Sequence, residues 1–187
     1  MDELKFVTSN PHKFREAETI LEEYGIEVKW VNLKYPELQA DTLEEVVLHS
    51  LRWLKKKIEE PFFIEDAGLF IHSLKGFPGP YSSYVFRTIG NEGILRLMKG
   101  IKEREATFRS VIGLVIEDKP YTFRGETQGY IADSARGTLW GFDPIFIPKD
   151  MGGLTYAELG MRKNLVSHRR KSLELMASWF SRKVKKA

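Results

Sequence analysis

The sequence predicts an α/β protein built on a mixed β-sheet, and three observations lead there. Short apolar runs of strand length alternate with helical periodicities through the first half of the chain. Two longer alternating runs, Thr107 to Ile116 and Tyr121 to Ala132, then read as an antiparallel pair. The chain has 187 residues, 42% of them hydrophobic, which suits either one compact domain or two closely packed lobes, with a substantial core. No internal repeat or long linker divides it.

The elements follow in order. Residues 4–8 (LKFVT) read as the first strand. A helix is expected from about Pro11 to Tyr24, with Phe14, Ala17, Ile20, Leu21 and Tyr24 on one face and Gly25 as the stop signal. Asn10 reads as its N-cap, with proline at the first helical position. Val28 to Val31 makes a second strand, followed by the polar loop NLKYPELQAD. Thr42 and Glu45 form a capping box that opens a helix with Leu43, Val47, Leu51, Leu54 and Ile58 at helical spacing. FFIEDAGLFI (62–71) is a strand pattern interrupted by a carboxylate pair and Gly68. KGFPGPYSSY is a Gly/Pro loop running into a short helix, with a second near Gly93 to Met98. Lys119-Pro120 reads as the turn between the two long strands. LWGFDPIFIP and a terminal helix from about Ser167, with Leu173, Met176 and Phe180 on one face, close the chain.

Composition narrows the chemistry. The absence of cysteine excludes disulfides, thiolate metal sites and cysteine nucleophiles. The start MDELKF carries no apolar signal region, and no apolar run approaches the ~18 residues of a membrane span, so an intracellular, cytoplasmic protein is expected. A net charge of +3 leans mildly towards a polyanionic partner, but Arg182, Lys183, Lys185 and Lys186 supply much of it from the end of the chain. There is no G-x-x-x-x-G-K-[ST], no G-x-G-x-x-G and no G-x-S-x-G, and His12, His49, His72 and His168 lack metal-ligand spacing.

Four polar clusters interrupt the apolar patterns. Thr8, Ser9, Asn10 and Lys13 sit at a strand-to-helix turn, where free backbone N–H groups and the helix dipole favour an anion. His12 and Lys13 put cationic character where a first helical turn ordinarily carries carboxylates; a plain cap with Lys13 in water is the simpler alternative. Glu37 follows Pro36 in a polar loop. Glu65-Asp66 ends an apolar stretch, and alternation buries one of the two, which then requires a metal ion or a basic partner. Last come TLWGFDP, with Trp140, Gly141, Phe142 and Asp143, and MRKNLVSHRR. The latter sets Lys163 before the final helix and His168, Arg169 and Arg170 in its first turn, capped by Ser167. A second helix thus begins with cations, which suggests one shared anion.

TSN-P-H-K-FREAE, IEDAGL, GFPGPYS, WGFDPIF and KN-LV-SHR-R, in that order, resemble the inosine triphosphate pyrophosphatase family, the Ham1-like proteins that act on noncanonical purine nucleotides. The resemblance runs from about Phe6 to Met176. It implies an elongated central mixed sheet flanked by helices, two lobes with the active site in the cleft between them, and a homodimer. It implies Mg²⁺-assisted hydrolysis of ITP, dITP or XTP to the monophosphate and pyrophosphate. By matching position, Thr8, Ser9, Asn10, Pro11, His12 and Lys13 would hold the triphosphate, with His12 at a variable position of the motif. Glu37 and Asp66 would hold the metal, and Asp66 would accept the proton of the attacking water. Ala67 would contact substrate, Trp140 to Asp143 would lie against the base, and Lys163, His168 and Arg169 would complete the site. Two departures stand out. Many members have Asp-Asp-Ser-Gly where this chain has Glu65-Asp66-Ala67-Gly68, and Ser-Ala-Arg where it has Ser82-Ser83-Tyr84; no catalytic role falls to that loop. Three other readings compete: a Maf-like nucleotide pyrophosphatase, a basic nucleic-acid-binding module, and a nucleotide sensor without turnover.

Overall fold

The computed structural model describes residues 3–184. Six strands form one sheet in the order β2-β1-β3-β4-β5-β6. β1 (Glu3–Val7) runs parallel to β2 (Glu27–Val31) and to β3 (Phe62–Ile71). β3, β4 (Glu105–Ile116), β5 (Lys119–Ile131) and the short β6 (Phe146–Pro148) pair antiparallel. The mixed sheet therefore arises as expected, from a parallel βαβ start joined to an antiparallel hairpin.

Strand alternation sends side chains to two faces, and helices cover both. On one face Leu4, Phe6, Phe63, Ile112 and Leu114 meet α1 (Pro11–Glu22) and α6 (His168–Val184) through Ala17, Ile20, Leu21, Leu173, Met176 and Phe180. On the other, Val7, Phe62, Ile64, Val111 and Val115 meet α2 (Leu43–Leu54) through Leu43, Val47, Leu51 and Leu54. A third core lies towards the far ends of β3, β4 and β5. There Leu69, Ile71, Phe108 and Ile131 pack with Phe142, Phe146 and Tyr156, and with Val85 of α3 (Ser82–Thr88), Ile94 of α4 (Gly90–Leu97) and Leu159 of α5 (Tyr156–Leu159). The long strands thus connect two separately packed regions.

Several boundaries differ from the sequence expectation. α1 stops at Glu22, and Tyr24 lies beyond it, 37% exposed. α2 ends at Leu54, so Ile58 packs against the core from outside the helix. β3 is continuous through Glu65, Asp66 and Gly68, because β4 pairs with every residue from Phe62 to Ile71. The hairpin turn is not Lys119-Pro120. Ile116 pairs with Lys119, and Glu117 and Asp118 turn the chain at φ +52° and +62°, the positive-φ pair of a two-residue hairpin loop. Pro120 lies inside β5 opposite Val115, at the end that β6 leaves uncovered, where a missing N–H is tolerated. At the chain's end Lys183 pairs with Glu117 and Arg182 bonds back to the Ser178 carbonyl; Lys185 and Lys186 lie outside the described residues.

Two glycines let helices close on the sheet. A Cβ on Gly125 would come within 2.3 Å of the His168 carbonyl oxygen and 2.4 Å of the Ser172 nitrogen, so β5 receives the first turns of α6 only because residue 125 lacks a side chain. A Cβ on Gly68 would lie 2.4 Å from the Gly79 carbonyl, where the chain enters α3. Among the described residues no helix is long and apolar enough to cross a membrane.

Candidate active site

β1 pairs with β3 no further than Phe63, and the Phe77–Ser82 segment takes up the same edge again from Leu69 to Ile71, so the stretch between them faces open space. That space is a cavity of about 780 Å³, in the range that takes a small-molecule ligand. Its walls are the β1–α1 turn, the loop from Leu33 to Ala40, the middle of β3, the segment from Pro80 to Arg87, and Trp140 to Asp143 with Lys163, His168 and Arg169. Every site residue expected from the sequence lines it except Pro11, which sits at the first position of α1.

The β1–α1 turn is internally bonded. The Asn10 side chain accepts from the His12 and Lys13 amides at 2.9 and 3.3 Å, and the Asn10 amide donates to Thr8 Oγ1 at 3.1 Å. Pro11 has no N–H to offer. The helix-start amides expected to face an anion are therefore already occupied by the cap, a correction to the reading of free donors there. Beside the exposed Ser9, this end also carries the Lys13 ammonium. It reaches Glu65 Oε2 at 2.9 Å and the Glu65 carbonyl at 3.2 Å.

Alternation buries Glu65 rather than Asp66. Glu65 Oε1 accepts from Ser110 Oγ at 2.7 Å and from Arg169 Nε at 3.2 Å. Burial alone would raise its pKa, but Arg169 and Lys13 outweigh that and hold it low. Of the two solutions expected for a buried carboxylate here, basic partners are the one realised at Glu65. Asp66 projects into the cavity and accepts from the Ala67 amide at 3.0 Å. Burial is the chief cause that pushes its pKa up to about 7; the charges of Glu37 and Glu65 add to the rise, and Lys13 opposes it.

With the charges of Glu37 and Glu65 both opposing its ionisation, Asp66 sits where positive charge is short. Among the described residues no group of three or more His, Cys, Asp or Glu is placed to hold a metal by protein ligands alone. Glu37 and Asp66 fit Mg²⁺ well, since that ion binds through one or two carboxylates and takes its remaining ligands from water and phosphate. Tyr35 faces the same cluster. Its phenol is held well above its usual pKa by burial and then by Glu37, Asp66 and Glu65, so it stays protonated.

The opposite end is organised by a residue that sequence reading did not select. Glu16, on α1, accepts from Lys163 Nζ at 2.9 Å and Trp140 Nε1 at 3.3 Å, and its other oxygen accepts from Arg169 Nη1. Lys163 also reaches Asp143 Oδ2 at 2.7 Å. Burial opposes the ionisation of Glu16, yet Arg169 and Lys163 bring its pKa down to about 2. For Asp143 burial prevails over Lys163, and its pKa is raised. Lys163 and Arg169 stand 5.2 and 5.3 Å from the Trp140 ring centroid, within cation–π range, and His12 stacks on that ring at 5.4 Å. The only available hint was the spacing of Glu16, one helical turn after Lys13.

The start of α6 carries less free charge than its sequence suggests. Ser167 caps it by accepting from the Arg170 amide at 3.0 Å. Arg170 then turns away to Glu23 and Glu174. Arg169 is committed to Glu16 and Glu65. His168 is buried against Phe108, ring centroids 4.2 Å apart, and burial followed by the charges of Arg169 and Lys163 keeps its pKa well below the usual value, so it is neutral. Its Nδ1 lies 3.4 Å from the Tyr156 hydroxyl, while its buried Nε2 has no protein partner. Carboxylates from α1 and β3 thus partner most of these cations before any ligand binds.

The Ser82-Ser83-Tyr84 segment divides in two. Ser82 Oγ donates to the Gly79 carbonyl at 2.7 Å and accepts from the Leu69 amide at 2.9 Å, tying α3 to β3. Ser82 also lines the cavity, together with Ser83 and Tyr84, which make no such tie to β3. Beyond them Phe86 meets Phe142 edge-to-face at 5.4 Å, and Asn91 Nδ2 donates to the Gly141 carbonyl at 3.1 Å, so α3 and α4 brace the turn that carries the aromatic residues.

Residues 4–179 match the model of the Ham1 family. A dITP/XTP pyrophosphatase of Pyrococcus horikoshii is 52% identical over 182 residues, covering 96% of this chain and 97% of that protein. One of Methanopyrus kandleri is 50% identical over 182 residues, covering 96% of each. Among solved structures, a HAM1 protein from Coxiella burnetii superposes with a TM-score of 0.82 at 27% identity, over 97% of this chain and 100% of that one. The Staphylococcus aureus Ham1 protein gives 0.80 at 25% identity, over 96% and 99%.

Proposed function

Since the chain belongs to the Ham1 family, we propose that it hydrolyses dITP, XTP and ITP to the monophosphate and pyrophosphate by water attack on the α-phosphorus. The observation that carries this reading is one cavity with two chemically distinct ends: Asp66, Glu37 and Lys13 at one, and Trp140, Phe142, Lys163 and neutral His168 at the other. The first end suits phosphate and metal, the second a flat heterocycle.

Mg²⁺, held by Glu37 and Asp66, would supply positive charge to the phosphates. Beside Mg²⁺ the Asp66 carboxylate would stay ionised, which suits it to orient the attacking water and take its proton. Lys13, fixed by Glu65, meets the charge that builds on the departing pyrophosphate. At the base end the Lys163 ammonium, 5.2 Å from the Trp140 ring centroid, is a hydrogen-bond donor. That donor, with Arg169 nearby, matches the 6-oxo group of hypoxanthine and xanthine. Adenine's 6-amino group would leave it unpaired, which supports discrimination against adenine. The protein is further proposed to act in the cytoplasm as a homodimer, a reading supported by the family resemblance and testable by sedimentation.

Pyrophosphate release measured across dITP, XTP, ITP, dATP and dTTP, with and without Mg²⁺, tests the whole reading. Fast release from the first three only, and only with the metal, is expected. Preference for a pyrimidine would favour a Maf-like activity, binding without release a sensor, and steep salt-dependent affinity for DNA or RNA a nucleic-acid module.

A further inference from the structure

The charge inventory of the cavity wall is uneven. Its cations are Lys13, Lys34, Arg87, Lys163 and Arg169, and its carboxylates Glu37, Glu65, Asp66 and Asp143. Three of the cations are already partnered: Lys13 with Glu65, Lys163 with Glu16 and Asp143, and Arg169 with Glu16 and Glu65. A divalent ion between Glu37 and Asp66 would balance those two carboxylates. Counting Glu16, which lies behind the wall, this machinery then sums to zero, although its proposed ligand is a polyanion. Lys34 and Arg87 make no ion pair with any described residue. Both are exposed, Lys34 on the loop that carries Glu37 and Arg87 on α3 beyond Tyr84.

We propose that Lys34 and Arg87 form a cationic rim that draws the triphosphate into the cavity and holds its outer end. The inference rests on the triphosphate reading of that cavity. Long, unpaired side chains at a mouth act mainly on capture. Their field extends about one Debye length, roughly 8–10 Å in moderate salt, and is amplified between low-dielectric walls. A rim that acts through charge on the phosphates acts alike on dITP and dATP, so base choice is expected to be unchanged by it. Each can reorient towards a phosphate without breaking a protein contact.

The experiment compares wild type with Lys34→Gln, Arg87→Gln and the double variant, at about 50 mM and about 300 mM KCl, a span over which screening of exposed charges changes strongly. For dITP, the double variant is expected to lose about tenfold in kcat/KM at low salt, with kcat within about twofold, and the loss should shrink to about twofold at high salt. The ratio of kcat/KM for dITP over dATP should match wild type. A double variant equal to wild type at low salt, or a loss that salt does not reduce, overturns the proposal. Inorganic tripolyphosphate, titrated calorimetrically with Mg²⁺ present, separates this from the parent reading. If wild type releases no pyrophosphate from any nucleotide, the enzymatic reading fails, while weaker tripolyphosphate binding by the double variant still supports the rim. Unchanged melting temperatures confirm that the variants are folded.

Discussion

Replacing Glu16 by glutamine keeps the shape of the side chain and removes the charge shared by Lys163, Arg169 and Trp140. The Glu16 side chain is only 12% exposed, so solvent screens the cluster weakly. Burial raises its pKa, but Arg169 and Lys163 more than offset this and take it from 4.5 to about 2. At ~1.4 kcal/mol per pH unit, that difference corresponds to roughly 3 kcal/mol of folding stability. Breaking a buried pair by removing one partner costs a similar amount, about 3–5 kcal/mol. The sign follows from the depressed folded-state value. The contribution is complete above pH ~4.5, falls to about 1.4 kcal/mol near pH 3, and is lost once the pH passes below ~2. Urea unfolding followed by tryptophan fluorescence at pH 7 and pH 3 measures it. Glu16→Gln should be less stable than wild type by about 3 kcal/mol at pH 7, with the gap halved at pH 3. A gap below ~0.5 kcal/mol at pH 7, or one that does not narrow in acid, would refute the view that Glu16 anchors this end of the cavity.

Three further outcomes follow from the same geometry. Asp66→Asn should lose at least about a hundredfold in kcat while still binding dITP, read by single-turnover kinetics and calorimetry; normal turnover would remove Asp66 from the chemistry. Lys13→Ala should raise KM for the triphosphate more than it alters base preference, and should also weaken the fold, because Glu65 would then rely on Arg169 and Ser110 alone. A melting curve identical to wild type would show that Glu65 does not need Lys13. Gly125→Ala should destabilise by more than about 2 kcal/mol, since its Cβ would strike α6 backbone at 2.3 Å; an unaffected melting temperature would mean that α6 can shift without cost.

The local signals were faithful where a few neighbouring residues decide the outcome. Asn10 with Pro11, the Thr42–Glu45 box and the Ser167 cap each fix a helix start through contacts no more than three residues away, and each is present. The turn at Glu117-Asp118 was harder to see. Alternation runs smoothly across it, and Pro120 drew attention to a residue that a strand end tolerates.

By itself the sequence determined the mixed α/β architecture, most of its elements in order and the family to which the chain belongs, because periodicity, caps and ordered motifs are local properties; β6 and α5 were not legible in it. Every site residue it named, Pro11 apart, lines the cavity. Only the tertiary structure decided what those residues do with their charge. Glu16 meets Lys163 across 147 positions of chain, and Glu65 meets Arg169 across 104. Such pairings arise because α1 and α6 cover the same face of the sheet, beside the edge that β1 leaves open. Electrostatic energy depends on distance in space and on burial, neither of which a linear motif records. Two cationic helix starts, alike in sequence, therefore became largely neutralised supports for the cavity, and the uncompensated charge fell to Lys34 and Arg87.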